Sequence, residues 1–178
     1  YSGVVNGNTA AAANAYSSAM FYVVTYVLTT LAVFGIIMLL AREGFESEEI
    51  TDFAGLNQRS PLYAGVMALC MFSLAGIPPM VGFAGKLSVL QALIASGQTG
   101  AVALAIYAVM MSLLAAFYYL RVVKVMYFDT PITASTVSAG VDVRVVLLVN
   151  SGLLLVLGLL PGGLMTLCAR AIVSTLGT

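Results

Sequence analysis

Apolar residues along this chain come in blocks of roughly fifteen to thirty, separated by short polar stretches, and blocks of that length predict helices crossing a bilayer. The first block, 15–41, runs without a charge and opens with Tyr16, Phe21, Tyr22 and Tyr26, where an aromatic belt would sit. Further blocks cover 61–76, 79–96, 101–120 and 143–160. After Pro161, residues Leu164, Leu167, Cys168, Ala171, Ile172 and Leu176 recur at helical spacing opposite Thr166, Arg170 and Ser174, which predicts a short helix lying in the interface. The expected fold is an all-α membrane protein. It is a polytopic transmembrane helix bundle of about five spans, one interrupted at Gly76–Pro79, with a short interfacial C-terminal helix, all in one domain over 1–178.

The polar connections are less informative. Residues 1–14 read as a loop leading into the first helix, and 42–60 as a solvated loop with Glu43, Glu46, Glu48, Glu49 and Asp52. That acidic cluster lacks the ligand spacing of a calcium loop. A short amphipathic turn is expected at Ile50 to Leu56. The fifth block shows no polar face and is expected to lie peripherally against lipid.

The interruption is the feature to explain. Pro79 disfavours helical angles at Pro78, Pro78 does the same to Ile77, and neither proline donates a backbone hydrogen bond, so a helix from Pro61 must end near Gly76. A second helix is expected to restart at Pro79, because the first helical position has no amide partner to lose. Between Leu62 and Ser96 the only charge is Lys86, near the middle of the restarted segment. A charged amine at mid-depth costs on the order of 3 kcal/mol by insertion scales. A snorkelling lysine would sit near a helix end instead, so Lys86 is expected to be functional, with an ion pair to a helix outside this chain as the alternative. Gly82 and Gly85 remove side chains beside it, leaving room for water or a close helix. Ser73 and Gln91 are the nearby polar residues, Gln91 only partly aligned with Lys86. Arg121 and Lys124, among tyrosines at the end of the fourth block, suit a headgroup boundary or a surface where a proton enters or leaves.

Composition narrows the chemistry. The chain has 178 residues, 61% hydrophobic and 8% charged. Seven basic residues balance seven acidic ones, so nothing points to nucleic acid. There is no histidine, and Cys70 and Cys168 sit in apolar stretches, which leaves no ligand set for haem, zinc, copper or an iron-sulfur cluster. No nucleotide-binding loop appears. The sequence begins at Tyr1 without methionine or a signal-peptide pattern, so it is expected to be a piece of a longer protein. Basic residues divide evenly between the two faces, so charge bias assigns no orientation.

The run from Leu74 to Lys86, LAGIPPMVGFAGK, followed by the run from Phe117 to Asp129, FYYLRVVKVMYFD, resembles the C-terminal part of the subunit N family of NADH-quinone oxidoreductase. This is the family of mitochondrial NADH dehydrogenase subunit 2, among the antiporter-like membrane subunits of respiratory complex I. The resemblance runs from about Phe21 to the end. It implies a fourteen-helix bundle with two inverted five-helix repeats, of which this chain supplies the later part. It also implies that Lys86 is the lysine on a broken helix that loads and releases a proton, and that the loop after Arg121 faces the cytoplasm or matrix. The implied partners are other complex I membrane subunits, antiporter-like neighbours, the missing N-terminal part of its own subunit, and lipid. FMN, iron-sulfur clusters and quinone are expected on partner subunits and no cofactor on this chain. The implied location is the bacterial cytoplasmic (inner) membrane, ahead of the mitochondrial inner membrane.

The expected function is therefore a buried-lysine proton relay in redox-driven pumping. The alternatives are a subunit of a multi-subunit sodium/proton antiporter and a structural scaffold in which Lys86 only pairs with a partner helix.

Overall fold

The computed structural model describes residues 9–41, 49–131 and 139–176, and among them every extended element is a helix. Helix α1 spans Thr9–Ala41. It begins well before the expected boundary because the alanine run Ala10–Ala13 favours helix over the loop read from its small polar neighbours. Thirty-three residues make about 50 Å of helix, and α1 packs against four other helices, α3, α4, α6 and α7. Its inner stripe holds Phe21, Thr25, Thr29, Ala32 and Ile36, all buried. The threonines occupy it without orphaned hydroxyls: Thr25 donates to the Phe21 carbonyl at 3.0 Å and Thr29 to the Thr25 carbonyl at 2.8 Å.

Of the hydrophilic connection, 42–48, including Glu43, Glu46 and Glu48, lies outside the described residues. Beyond it, a 3₁₀ turn at Ile50–Phe53 and the short helix α2, Leu56–Arg59, fall where an amphipathic turn was expected. Phe53 and Leu56 are buried, and the Gly55 amide donates to the Val125 carbonyl at 3.3 Å, tying this segment to the far end of α5. Glu49 and Asp52 cap the turn, with the Glu49 amide donating to Asp52 Oδ2 at 3.0 Å.

Helices α3 (Pro61–Ala75) and α4 (Val81–Ala95) flank the interruption. Each has fifteen residues, about 22 Å of helix, short of a hydrocarbon core of roughly 30 Å. Pro61 starts α3 as expected. Helix α4 starts at Val81 and not at Pro79: both prolines stay in the connection and Met80 is extended, with φ −71° and ψ 152°.

Helix α5 covers Ala101–Phe128, eight residues beyond the end expected at Leu120. No helix-breaking residue intervenes before Asp129, and Pro131 follows. The serine- and threonine-rich 132–138 lies outside the described residues. Helix α6 is Val141–Leu159 and α7 is Gly162–Leu176. Helix α6 is peripheral, as expected, but the expectation that it has no polar face is corrected by Asn150 and Ser151 on its inner side. Val145, Val146, Val149, Leu153 and Val156 are exposed, but Leu147, Ser151 and Leu154 form a buried face. On that side Asn150 Nδ2 donates to the Leu28 carbonyl of α1 at 2.9 Å. Helix α7 lies along α1 with Cys168 buried and Thr166 and Arg170 exposed.

Among the described residues three helices, α1, α5 and α6, are long and apolar enough to cross a bilayer, with mean hydropathies of 2.4, 2.1 and 1.9 over their best windows. Helices α3, α4 and α7 are shorter apolar helices. The chain is an all-α membrane helix bundle with α1 and α3 at its centre.

Candidate proton-carrying site at the helix break

Every helix ends with carbonyls that have no intrahelical partner, and the site is built from those at the end of α3. Gly76 adopts φ +83°, a left-handed conformation that side chains disfavour. This turns the chain so that the Ile77 amide donates to the Phe72 carbonyl at 3.0 Å and the Gly76 amide to the Ser73 carbonyl at 3.0 Å. That double closure is a Schellman motif. It leaves two carbonyls, Leu74 and Ala75, at the negative end of the α3 dipole.

Lys86 takes both. Its Nζ donates to the Leu74 carbonyl at 2.8 Å and to the Ala75 carbonyl at 3.3 Å. The third ammonium hydrogen goes to Ser112 Oγ on α5 at 2.7 Å. Three donors thus meet three acceptors. A helix C-terminus carries roughly half a negative charge, which helps to hold the cation. The half-buried side chain runs to the broken end of α3 and not toward a helix terminus of its own.

The reciprocal tie uses Ser73, which is 1% exposed. Its Oγ accepts from the Gly82 amide at 3.1 Å, one of the unpartnered amides of the first turn of α4. The approach is so close that a Cβ on Gly82 would fall on the Ser73 carbonyl. Gly85 serves a different contact: a Cβ there would stand 3.3 Å from Thr25 Oγ1 and from Tyr22 Cδ2, so this glycine seats α4 against α1. Behind the break, a Cβ on Gly158 of α6 would meet the Pro79 carbonyl.

Lys86 opens onto a cavity of about 800 Å³ between α1, the end of α3, α4 and α5. Liquid water occupies about 30 Å³ per molecule, so the space is ample for hydration. Its polar lining comprises Tyr22, Thr25, Tyr26 and Thr29 from α1, Ser73, Lys86, and Ser112 and Tyr119 from α5. The rings of Tyr22 and Tyr26 stack with centroids 6.0 Å apart. Among the described residues no carboxylate lines the cavity and no group of three potential metal ligands gathers.

Of the residues singled out in the sequence, Ser73, Gly82 and Lys86 come together at the cavity, with Gly85 beside them on the α1 side. Pro78 and Pro79 form the exposed connection. Gln91 is exposed and outside the cavity lining, because five residues of helix turn it away from Lys86. Arg121 and Lys124 are exposed near the end of α5, also outside the lining, and Lys124 pairs with Asp129 at 3.1 Å. Sequence reasoning missed the Leu74 and Ala75 carbonyls and Ser112 as partners of Lys86. The available signal for Ser112 was its place in the small-residue stripe Ala108, Ser112 and Ala116.

Residues 3–115 match the family model described as NADH:quinone oxidoreductase/Mrp antiporter, TM. The chain is 67% identical over 172 residues to NADH-quinone oxidoreductase subunit N of Polaromonas naphthalenivorans, covering 96% of this chain and 34% of that one. It is 59% identical over 177 residues to the subunit N of Herminiimonas arsenicoxydans, covering 99% and 35%. The fold superimposes on a chain of respiratory complex I from Thermus thermophilus with bound aureothin, with a TM-score of 0.70 and 27% identity, over 85% of this chain and 34% of that chain. The chain spans about a third of the length of the relatives it matches.

Proposed function

We propose that this chain, which belongs to the NADH:quinone oxidoreductase/Mrp antiporter transmembrane family, is part of an antiporter-like membrane subunit of a proton-translocating NADH:quinone oxidoreductase. In it Lys86 alternately holds and releases a proton. The observation that carries this reading is a solitary amine on a broken helix, bound to two main-chain carbonyls and a hydroxyl at the edge of a cavity that can hold water. The identity to bacterial subunit N proteins along nearly the whole chain supports the assignment.

As an ammonium, Lys86 is held by the end of α3. A further positive charge arriving roughly 8 Å away, at an effective dielectric of about 20, raises its energy by about 2 kcal/mol. That is about thirtyfold in proton occupancy, so arrival of such a charge expels the proton and its departure draws one back. Redox chemistry on partner subunits, which carry FMN, iron-sulfur clusters and quinone, supplies the drive. This chain contributes no cofactor. Its partners are the other membrane subunits, antiporter-like neighbours, the N-terminal part of its own subunit, and lipid, in the bacterial cytoplasmic membrane. Ser73 and Gly82 position the break, Gly85 seats α4 against α1, Pro78 and Pro79 interrupt the helix, and Arg121 and Lys124 anchor the end of α5 at the headgroup boundary.

Replacing Lys86 with methionine in the full-length subunit of the assembled complex tests the reading. Proton pumping per assembled complex is expected to fall at least tenfold, and full pumping would leave only a scaffold. The family description also covers Mrp antiporters, which favours a sodium/proton antiporter subunit as the second reading. A purified complex without flavin and iron-sulfur absorbance would decide for that one.

A further inference from the structure

We infer that Ser112 is a positioning residue that serves Lys86 in both of its protonation states, accepting a hydrogen bond from the ammonium and donating one to the amine. The inference rests on the proposed proton-carrying role of Lys86.

The ammonium offers three N–H groups, and the structure gives each an acceptor: the Leu74 carbonyl at 2.8 Å, the Ala75 carbonyl at 3.3 Å and Ser112 Oγ at 2.7 Å. When the proton leaves, one N–H bond breaks, the electron pair stays on Nζ, and the proton passes to water in the cavity. The amine then has two N–H groups and one lone pair. The two carbonyls can keep the two N–H groups, but a carbonyl has no hydrogen to give the lone pair. Ser112 does: its hydroxyl rotates, and the same oxygen that accepted now donates across the same short contact. Tyr22 and Tyr26 on α1 and Tyr119 on α5 also line the cavity, but the hydroxyl in contact with Nζ is that of Ser112. Apart from Lys86, α3 and α4 bring no titratable side chain to this lining. Without a reversible partner fixed in the fold, the lone pair of the neutral amine would depend on mobile cavity water for its donor.

The test uses Ser112→Ala, Ser112→Cys and Ser112→Thr, each in the full-length subunit of the assembled complex. Lys86→Met is measured alongside, and pumping is normalised to assembled complex. Threonine keeps the hydroxyl; cysteine keeps the bulk but is a weak hydrogen-bonding group. Expected are a loss of about tenfold for alanine and cysteine and pumping within about twofold of the parent for threonine. Retention in alanine or cysteine, or loss in all three, overturns the inference. If Lys86→Met itself pumps normally, the underlying reading of Lys86 fails, an outcome distinct from a Ser112 series that fails while Lys86→Met loses pumping.

Discussion

Alanine at Gly82 would put a methyl group on the main-chain carbonyl of Ser73, where no side-chain movement can relieve it. The first turn of α4 must then back away from the last turn of α3 by more than an ångström. Two ties do not survive such a shift: the Gly82 amide to Ser73 Oγ at 3.1 Å, and the longer bond from Lys86 to the Ala75 carbonyl, already 3.3 Å. A neutral hydrogen bond contributes about 1 kcal/mol and one to a charged group about 2 kcal/mol, so the substitution removes about 3 kcal/mol from the ordered break. That is roughly a hundredfold in the balance between ordered and displaced arrangements. The comparison is Gly65→Ala on α3, where a Cβ would meet nothing within 4 Å and alanine favours the helix by up to about 1 kcal/mol. Both variants are to be made in the full-length subunit. NADH-driven acidification of inverted membrane vesicles is read with a pH-sensitive dye and normalised to complex resolved on native gels. Gly82→Ala is expected to abolish assembly or to cut pumping at least tenfold, while Gly65→Ala matches the parent. A Gly82→Ala complex that assembles and pumps like Gly65→Ala refutes the reasoning.

Two further outcomes follow from the packing. Asn150 Oδ1 is buried without a partner among the described residues, while its Nδ2 bonds the Leu28 carbonyl. Asn150→Leu, which loses one interhelical bond worth about 0.6 kcal/mol and removes the orphaned acceptor, should leave subunit accumulation unchanged on immunoblots of membranes. Asn150→Asp, which sets a carboxylate against that carbonyl, should abolish it. Cys70 and Cys168 are free and buried, so a membrane-impermeant maleimide should label neither in intact complex and both after denaturation.

The sequence disclosed the break more readily than what the break holds. Two adjacent prolines after a glycine can stop a helix in only a few places, so the end of α3 near Gly76 was legible, and a lone lysine in an apolar block is conspicuous by its cost, which marks Lys86 out without giving its partners. The start of α4 was misplaced by two residues because the proline preference for a first helical position gave way to an extended Met80. The acceptors for Lys86 were hidden for a different reason. Two are main-chain carbonyls, which no side-chain pattern encodes, and the third sits 26 residues away on another helix. The inner face of α6 is masked in the sequence because Asn150 and Ser151 are surrounded by leucine and valine; contacts with α1 and with the break set its direction.

One consequence of the amine bridging to the end of α3 is mechanical. The same three bonds that hold a proton on Lys86 also fasten the two short helices to each other and to α5. In the proposed cycle discharge weakens that fastening, because the attraction between a cation and the helix dipole, about 0.3 to 2 kcal/mol, disappears with the charge. Linkage makes the relation reciprocal: a force that separates the half-helices alters how firmly the proton is kept, by the same free energy with which its departure loosens them. With Lys86 exchanging its proton as proposed, the joint would convert displacement into titration and titration back into displacement.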